Sequence, residues 1–448
     1  MARKIGYISL GCAKNLVDTE VMLGLVQDKG FEIVEEFDEA EYIIINTCTF
    51  IEKAKQESVN TILEAAGYKE SGITKGLIVA GCLSQQYGEE LFREIPEIDG
   101  LLGTGSWHKI LEALDAIEDG KRAYFMDDIS NIYDERMPRL QTTEPYSAYV
   151  KISEGCDNGC TFCIIPKVRG HFRSRPIASI VAEVERLASE GVKEVNLIAQ
   201  DTTFYGADLN GGKPMLVELL KELVKVEGIE WIRMLYLYPK HFTDELLQTI
   251  VEEPKICNYI DMPLQHINDT ILRRMARRDT RSNIEAIVKK LRSQSEHMTL
   301  RTSLIVGFPG ETEEQFEELC KFVEEVRFDN VGVFTYSQEE GTPAGAMEDQ
   351  IPEEVKEERY HQLMAIQAKV SEENNRDLEG SKHYMLVEGV EVQEEGCLAV
   401  GRMETQAPDV DGNIYIENNP DLEVGDIVPV TVVQGFAYDV VGEVGWND

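Results

Sequence analysis

The sequence has no long hydrophobic run and few basic residues for its size. None of its apolar stretches approaches the roughly 20 residues that cross a bilayer. The first residues, MARKIGYISLGCAKN, also lack the apolar core of a secretory signal. These absences predict a cytoplasmic protein that does not bind membranes. A chain of 448 residues is too long for one compact core, so about three domains are expected.

Basic residues are scarce: 44 Lys and Arg accompany 82 Asp and Glu, for a formal charge of −38. The electric field of this negative charge repels polyphosphate and attracts basic partners, which argues against a general nucleic-acid binder. The shortage is deepest in residues 376–448, where 3 basic and 16 acidic side chains give −13. One basic stretch, RRMARRDTR at 273–281, leaves a local basic groove open.

The nine cysteines, an odd number in a long chain, indicate reduced thiols and metal chemistry rather than a disulfide framework. Cys156, Cys160 and Cys163 lie within eight positions, in EGCDNGCTFCIIP. Thiolate sulfur is a soft ligand that suits zinc or iron–sulfur clusters. Three thiolates can hold three irons of a four-iron cluster and leave the fourth open to a small molecule. A zinc site completed by His171 is the alternative.

Three further cysteines follow strand-like runs in the first 120 residues. Cys12, Cys48 and Cys82 come after IGYISLG, YIIINT and GLIVAG, at separations of 36 and 34 residues. The carboxyl ends of parallel strands share one edge, where such sheets bind ligands, so the three thiols are expected to converge. Small buried cysteines at strand ends remain the competing interpretation.

The remaining chain predicts two more units beyond a polar connector at 127–148. Strand-like runs alternate with helical patterns in a series that indicates a barrel or partial barrel of parallel strands, with the close cysteines in its first loop. These runs lie at 148–153, 194–199, 232–237, 259–264, 300–307 and 330–336. A charged helix from 353 to about 378 follows. Short β-like runs at 381–446, separated by Gly, Asp and Asn, predict a small antiparallel barrel.

The motif C-x3-C-x2-C, with Phe162 before its last cysteine and a βα barrel around it, resembles the signature of the radical S-adenosylmethionine (SAM) superfamily. With the N-terminal cysteine unit and the C-terminal barrel, nearly the whole chain resembles the methylthiotransferase family. The resemblance implies a multidomain α/β protein: a parallel α/β domain at 1–126, a partial TIM barrel at 142–375, and a TRAM- or OB-like β-barrel at 376–448.

The resemblance also implies two 4Fe–4S clusters, two uses of SAM and an electron donor such as flavodoxin or ferredoxin. Cys156, Cys160 and Cys163 would hold the cluster that binds and cleaves SAM to a radical. The distant group would hold the cluster that carries the sulfur to be methylated and inserted. That group is Cys12, Cys48 and Cys82.

Other site residues follow from the same resemblance. Gln200 and Asp201, after the second barrel strand, would bind the methionine amino group of SAM, with Phe162 beside the cluster. Gly307 and Gly310 in IVGFPGET would let the backbone approach adenosine. The remaining candidates are Gln265 and Arg301, which lie near strand ends, and His266, for which a structural role is equally open. The cysteines expected to be structural are Cys257, Cys320 and Cys397.

Two substrates compete: an adenosine in transfer RNA and an aspartate of small-subunit ribosomal protein S-twelve. The stretches SLGCAKNLVDTE, LYLYPKH and DMPLQHINDTILRRMARRDT resemble the ribosomal-protein branch. That branch replaces a Cβ hydrogen of the aspartate with a methylthio group. The acidic C-terminal barrel suits a basic ribosomal protein and does not favour direct RNA binding. A zinc-bearing ribosome adaptor is the non-enzymatic alternative.

Overall fold

The computed structural model describes residues 3–295, 298–393 and 396–446. The predicted outer limits, Met1 and Asp448, therefore lie outside the described residues. No helix in these ranges combines the length and apolarity needed to cross a membrane.

The N-terminal unit is a parallel sheet with helices on both faces, as predicted. Its strands run in the order β2-β1-β3-β4-β5-β6. They are β1 (Lys4–Ser9), β2 (Glu32–Val34), β3 (Tyr42–Thr47), β4 (Gly76–Gly81), β5 (Gly100–Leu102) and β6 (Ala123–Phe125). The helices are α1 (Ala13–Asp28), α2 (Glu52–Glu70), α3 (Cys82–Glu94) and α4 (Ile110–Glu118).

The buried strands of this unit divide their side chains between two cores, because successive residues of a strand point to opposite faces. On β4, Ile78 and Ala80 pack with α1 and α4, while Leu77 and Val79 pack with α2 and α3. This two-sided burial explains why the strands read as continuous hydrophobic runs.

The central unit is a partial barrel of parallel strands wrapped by helices. Its strands are β7 (Ser147–Lys151), β8 (Ser153–Glu154), β9 (Arg173–Ser174), β10 (Glu194–Ile198), β11 (Trp231–Met234), β12 (Tyr259–Asp261), β13 (Thr299–Val306) and β14 (Asn330–Thr335). The helices are α5 (Ile165–Val168), α6 (Ile177–Ser189), α7 (Leu216–Leu223), α8 (Asp244–Glu252), α9 (Asp269–Arg274), α10 (Arg281–Gln294), α11 (Glu313–Val326) and α12 (Glu353–Asp377).

The six long strands of the partial barrel form two three-stranded sheets, β7-β10-β11 and β12-β13-β14. A bridge between Ile232 and Ile256 and the hydrogen bond from Leu237 N to Asp261 O (2.8 Å) help to join them. Val195 and Leu197 of β10 pack under the surrounding helices. Because side chains alternate along a strand, Glu194 faces the barrel interior.

The C-terminal unit is a closed five-stranded barrel in the order β15-β16-β17-β19-β18. It comprises β15 (Lys382–Gln393), β16 (Gly396–Met403), β17 (Ile414–Glu417), β18 (Ile427–Gly435) and β19 (Val440–Val444). Four of its pairings in the described residues are antiparallel, but β17 and β19 pair in parallel. The predicted small β-barrel is confirmed, and in the described residues it departs from antiparallel pairing only between β17 and β19, which become neighbours when the barrel closes.

The C-terminal barrel contacts the inner face of the partial barrel through polar side chains. Arg402 donates to Glu194 at 2.6 Å, and Tyr259 Oη donates to Asp411 at 2.6 Å. Arg233 donates to the backbone carbonyl of Glu404 at 2.8 Å. These contacts give partners to polar and charged side chains that face the inside of the partial barrel. They fix the C-terminal barrel to the inner face of the central unit.

The connector between the first two units is also partly buried. Arg139 is 9% exposed and donates to Glu20 of α1 at 2.6 Å and to Glu183 of α6 at 2.8 Å. Tyr133 is 3% exposed, and the guanidinium carbon of Arg175 lies 4.4 Å from the centroid of its ring. The connector therefore fastens the N-terminal sheet to the partial barrel.

We expect Glu194→Gln to lower the free energy of unfolding by about 3–5 kcal/mol at neutral pH, because it removes the buried carboxylate that pairs with both Arg233 and Arg402. Burial alone would raise the pKa of Glu194, but Arg402 and Arg233 outweigh it and lower the pKa to about 2. The stabilisation is therefore complete above the unfolded-state pKa of about 4.3 and disappears as pH falls towards 2. Urea unfolding of both proteins across this pH range measures the difference.

The control is Glu222→Gln, which breaks an exposed pair with Lys225 and should change stability by about 1 kcal/mol or less. Equal effects of the two substitutions would contradict the buried role of Glu194.

Candidate functional site

The two groups of cysteines lie on facing edges of the first two units. Cys82, at the start of α3, packs against Ile164 and Val168, which directly follow the close cysteines. Arg169 at the end of α5 donates from Nε to Cys82 Sγ at 3.3 Å. The carboxyl edge of the N-terminal sheet therefore meets the first loop of the partial barrel.

The loop that carries Cys156, Cys160 and Cys163 is fastened at several points. Cys156 N donates to Gly170 O at 3.1 Å, and Cys163 N donates to Cys160 O at 3.1 Å. Thr161 N donates to Met275 O at 3.0 Å, and its hydroxyl donates to Arg274 O at 2.9 Å. The loop is therefore held by the C-terminal end of α9 and the residue that follows it.

Burial raises the pKa of two of these thiols, Cys156 and Cys163. The pKa of Cys156 rises to about 11, mainly through burial, with further increases from Asp201 and Cys160. Burial and the neighbouring Cys160 also raise the pKa of Cys163. Three thiolates this close repel one another, and a metal cluster would relieve that repulsion. In the described part of the chain, no group of three or more His, Cys, Asp and Glu side chains has the spacing of a single-ion site.

The edge that carries Cys12, Cys48 and Cys82 is pinned by two asparagines. Asn15 donates to the carbonyls of Leu10 and Thr47, each at 2.9 Å, and Asn46 donates to Asn15 O at 2.8 Å. These bonds tie the ends of β1 and β3 together.

Gly11, beside Cys12, has φ +90°, and a Cβ placed on it would lie 2.7 Å from the Cβ of Cys48. The first turn therefore needs glycine for its left-handed backbone and for the close approach of Cys48.

The three distant thiols differ in their electrostatic surroundings. The surface of Cys12 is exposed, but the residue lies in the cleft between the units, where neighbouring atoms partly desolvate its thiol. Desolvation would raise the pKa of Cys12, but the cations Lys14 and Arg169 outweigh it and lower the pKa. Burial raises the pKa of Cys48, and raises that of Cys82 to about 12 against the pull of Arg169.

A buried charge network joins the two edges. Arg169 donates to Asp18 at 2.6 Å and to Glu154 at 3.0 Å, and Lys151 donates to both carboxylates. Gln200 Nε2 donates to the other oxygen of Glu154 at 2.6 Å. A continuous chain of hydrogen bonds therefore runs from Cys82 through Arg169 and Glu154 to Gln200.

The two polar residues predicted after β10 lie beside the close cysteines. Asp201 is buried and accepts from Asn158, within the cysteine loop, at 2.8 Å. It also accepts from Phe204 N at 3.2 Å. The Oε1 atom of Gln200 is buried and has no hydrogen-bond partner among the residues that the structure describes. This unmet acceptor fits a ligand with an N–H donor.

Phe162 and the IVGFPGET segment are also brought together. Phe162 packs against a cluster that includes Ile305, Phe308 and Tyr336. Gly307 and Gly310 have φ of +71° and +76°. The turn thus needs glycine for its left-handed backbone, and it lies in the same neighbourhood as the cysteine loop.

Gln265 and Arg301 lie elsewhere in the barrel wall. Gln265 has φ +71° and exchanges backbone hydrogen bonds with β13, donating to Ser303 O at 2.8 Å. Arg301, near the start of β13, donates to Asp261 at 2.8 Å and lies 3.6 Å from Asp411 of the C-terminal unit. Within the described residues, the polar side-chain contacts of Arg301 are therefore with Asp261 of β12 and Asp411 of the C-terminal unit, and not with the cysteines.

The two histidines considered from the sequence differ in exposure. His266 is fully buried, with Nε2 2.9 Å from Glu311 Oε1, and its Nδ1 accepts from Asn268 N at 3.0 Å. This environment is that of a structural histidine. The side chain of His171 is 97% exposed and lies 2.8 Å from Asp157.

Three further side chains at this site were not predicted from the sequence. Lys14 is 6% exposed, with its ammonium 3.3 Å from the ring centroid of Tyr236 and 3.3 Å from Ala199 O. Arg169 joins the two edges, and Asn158 anchors the cysteine loop. Lys14 and Arg169 stand in GCAKN and PKVRGHFRSRP, close to cysteines, but no local pattern shows that their side chains meet the other unit.

The comparisons with known proteins agree with this architecture. Residues 4–103 match a family described as uncharacterized protein family UPF0004, residues 150–323 match the radical SAM superfamily, and residues 366–444 match the TRAM domain. A solved structure of the radical SAM methyltransferase TsrM from Kitasatospora setae has a TM-score of 0.55, with 16% identity and 77% of each chain covered. That likeness shows the fold alone.

Full-length relatives are much more similar. The ribosomal protein uS12 methylthiotransferase RimO of Desulfitobacterium hafniense is 49% identical, over 99% of this chain and 98% of its own. RimO of Desulforamulus reducens is 50% identical over 98% and 99%, and RimO of Geobacter sulfurreducens is 49% identical over 98% of each.

The three-part fold with its cysteine-bearing barrel loop defines a radical SAM enzyme. Within that class, the chain belongs to the RimO family of methylthiotransferases. It is therefore a transferase whose reaction depends on SAM.

We expect Asp201→Ala to loosen the cysteine loop, because the carboxylate accepts from Asn158 and from the backbone at Phe204. Hydrogen bonds to charged groups contribute about 1.5–3 kcal/mol, so amides at 156–163 should exchange about ten times faster or more. Hydrogen–deuterium exchange of the reduced apoprotein measures this. Asp208→Ala is the control, because Asp208 accepts from Ser174 N at 2.9 Å outside the loop. Unchanged exchange at 156–163 in the Asp201 variant would refute the anchoring role.

Proposed function

We propose that this enzyme replaces a Cβ hydrogen of an aspartate in small-subunit ribosomal protein uS12 with a methylthio group. The observation that carries the proposal is the shared cleft: Arg169, from the loop after the close cysteines, donates to Cys82 of the distant group at 3.3 Å. Two sets of soft ligands that open onto one cleft suit a reaction in which radical generation and sulfur delivery meet on one substrate.

We assign one 4Fe–4S cluster to Cys156, Cys160 and Cys163 and a second to Cys12, Cys48 and Cys82. When bound, these groups supply the electron that cleaves SAM to a radical and the sulfur that is methylated and inserted. The donor sets fit, since each offers three thiols and leaves a coordination position open. The electron enters from a donor such as flavodoxin or ferredoxin.

The protein side chains bind and orient the reactants. Gln200 offers an unmet acceptor to the SAM amino group, while Asp201 holds the cysteine loop through Asn158. Phe162 and the turn at Gly307 and Gly310 form the adenosine side of the site. Gln265 lies in the adjoining barrel wall. Arg301 would act from the barrel interior, where it pairs with Asp261.

We propose the same division of the chain that the sequence predicts. Residues 1–126 deliver sulfur, residues 142–375 generate the radical, and residues 376–448 dock the protein substrate. The acidic charge of the last unit supports a basic ribosomal protein as partner, since complementary potentials speed and orient encounter. The names of the full-length relatives support uS12 as that partner.

The cysteine assignment predicts different losses for the two groups. Cys156→Ala should abolish reductive cleavage of SAM, because one ligand of the radical cluster is lost. Cys48→Ala should retain cleavage and lose sulfur insertion. Anaerobic assays that quantify 5′-deoxyadenosine and methylthiolated product in parallel measure both. Cleavage by the Cys156 variant, or normal product from the Cys48 variant, would refute the corresponding assignment.

The docking assignment predicts that charge reversal on the C-terminal barrel weakens substrate binding. Glu417, Asp421 and Glu423 are exposed near the connection from β17 to β18. Changing all three to lysine should raise the KM for uS12 by about tenfold and reduce its salt dependence, with little change in kcat. Steady-state kinetics at two salt concentrations give the result.

The matched control changes three exposed acids of the helical layer, Glu324, Glu325 and Glu357, to lysine. It alters the net charge equally and should leave KM close to that of the parent. An equal rise in KM for both triple variants would show a nonspecific charge effect. Better use of transfer RNA by the barrel variant, without loss of uS12, would favour the adenosine substrate.

A further inference from the structure

The guanidinium of Arg169 is buried between the two cysteine-bearing edges, with 2% of the residue exposed. It uses each of its nitrogens. Nη1 donates to Asp18 and Glu154, Nη2 donates to Asn15 Oδ1, and Nε donates to Cys82 Sγ at 3.3 Å. Arg169 belongs to the barrel, yet it contacts a thiol of the N-terminal unit.

The orientation of this guanidinium is fixed by its acidic partners. Guanidinium is planar, so two N–H groups held by Asp18 and Glu154 determine the direction of the third. Lys151 pairs with the same two carboxylates, which balances two cations against two anions. These ion pairs therefore direct the Nε–H group of Arg169 at the sulfur of Cys82.

A hydrogen bond to a ligating sulfur changes the reduction potential of an iron–sulfur cluster. The added electron makes the reduced cluster more negative, so a nearby cationic donor stabilises the reduced state more than the oxidised state. Loss of the donor therefore lowers the reduction potential.

We propose that Arg169 is a positioning residue that holds Cys82 and raises the reduction potential of the cluster on Cys12, Cys48 and Cys82. The inference rests on the proposed function, which places a cluster on these three cysteines. It adds a residue from the radical-generating unit that controls the sulfur-delivering unit.

The experiment uses the full-length protein with Cys156, Cys160 and Cys163 changed to alanine, so that only the N-terminal cluster can be reconstituted. Iron and sulfide analysis measures loading, circular dichroism checks the fold, and a redox titration followed by electron paramagnetic resonance gives the midpoint potential. None of these readouts depends on turnover.

In this background, Arg169→Met removes the charge and the donor, and Arg169→Gln removes the charge alone. We expect both to shift the midpoint potential downward, with the larger shift for methionine, and Arg169→Lys to restore part of it. Folded Met and Gln proteins that no longer load iron, beside a Lys variant that does, would also support the proposal.

Arg173→Met is the matched control. Arg173 lies four positions away and donates to the carbonyls of Arg169, His171 and Asn131, and within the described part of the chain it makes no hydrogen bond to a cysteine. It should load iron with an unchanged potential. Normal loading and an unshifted potential in Arg169→Met would overturn the proposal. Equal shifts in the Arg169 and Arg173 variants would overturn it too. A background protein that binds no iron would instead contradict the proposed function, and the role of Arg169 would fall with it.

Discussion

The structure depends on a buried charge network between its two α/β units. Asp18 lies on the N-terminal sheet unit, while Lys151, Glu154 and Arg169 lie on the partial barrel, and all four are less than one-tenth exposed. Buried charges are costly unless their partners are well placed, so this network permits one arrangement of the two units. That arrangement turns both cysteine-bearing edges towards one cleft.

A second polar interface fixes the opposite end of the barrel. Glu194 and Tyr259 begin their strands, and both receive partners from the C-terminal barrel, at Arg402 and Asp411. The inner face of the partial barrel is therefore closed at the amino ends of its strands. The carboxyl ends, where the cysteine loop and Gln200 lie, remain for ligands, as is usual for parallel α/β folds.

Local sequence patterns predicted the fold and the cysteine groups but not the contacts between units. The hydrophobic runs before Cys12, Cys48 and Cys82 identify strand ends, and parallel strands bring such ends together. Lys14 and Arg169 were missed because their partners lie on the other unit. Arg301 lies near a strand end in the sequence. Its contact with Asp411 of the C-terminal unit shows that it lies at the end of the strand away from the cysteines. The parallel pairing of β17 with β19 follows from barrel closure, which no local pattern records.

The central claim is that two cysteine groups serve one cleft and one protein substrate. It is tested most directly by giving the anaerobically reconstituted enzyme small ribosomal subunits and transfer RNA together, with reductant, sulfide and methyl-labelled SAM, and analysing both by mass spectrometry. The account predicts a labelled methylthio group on an aspartate of uS12 and none on transfer RNA. Label on a transfer RNA adenosine, with unmodified uS12, would contradict it.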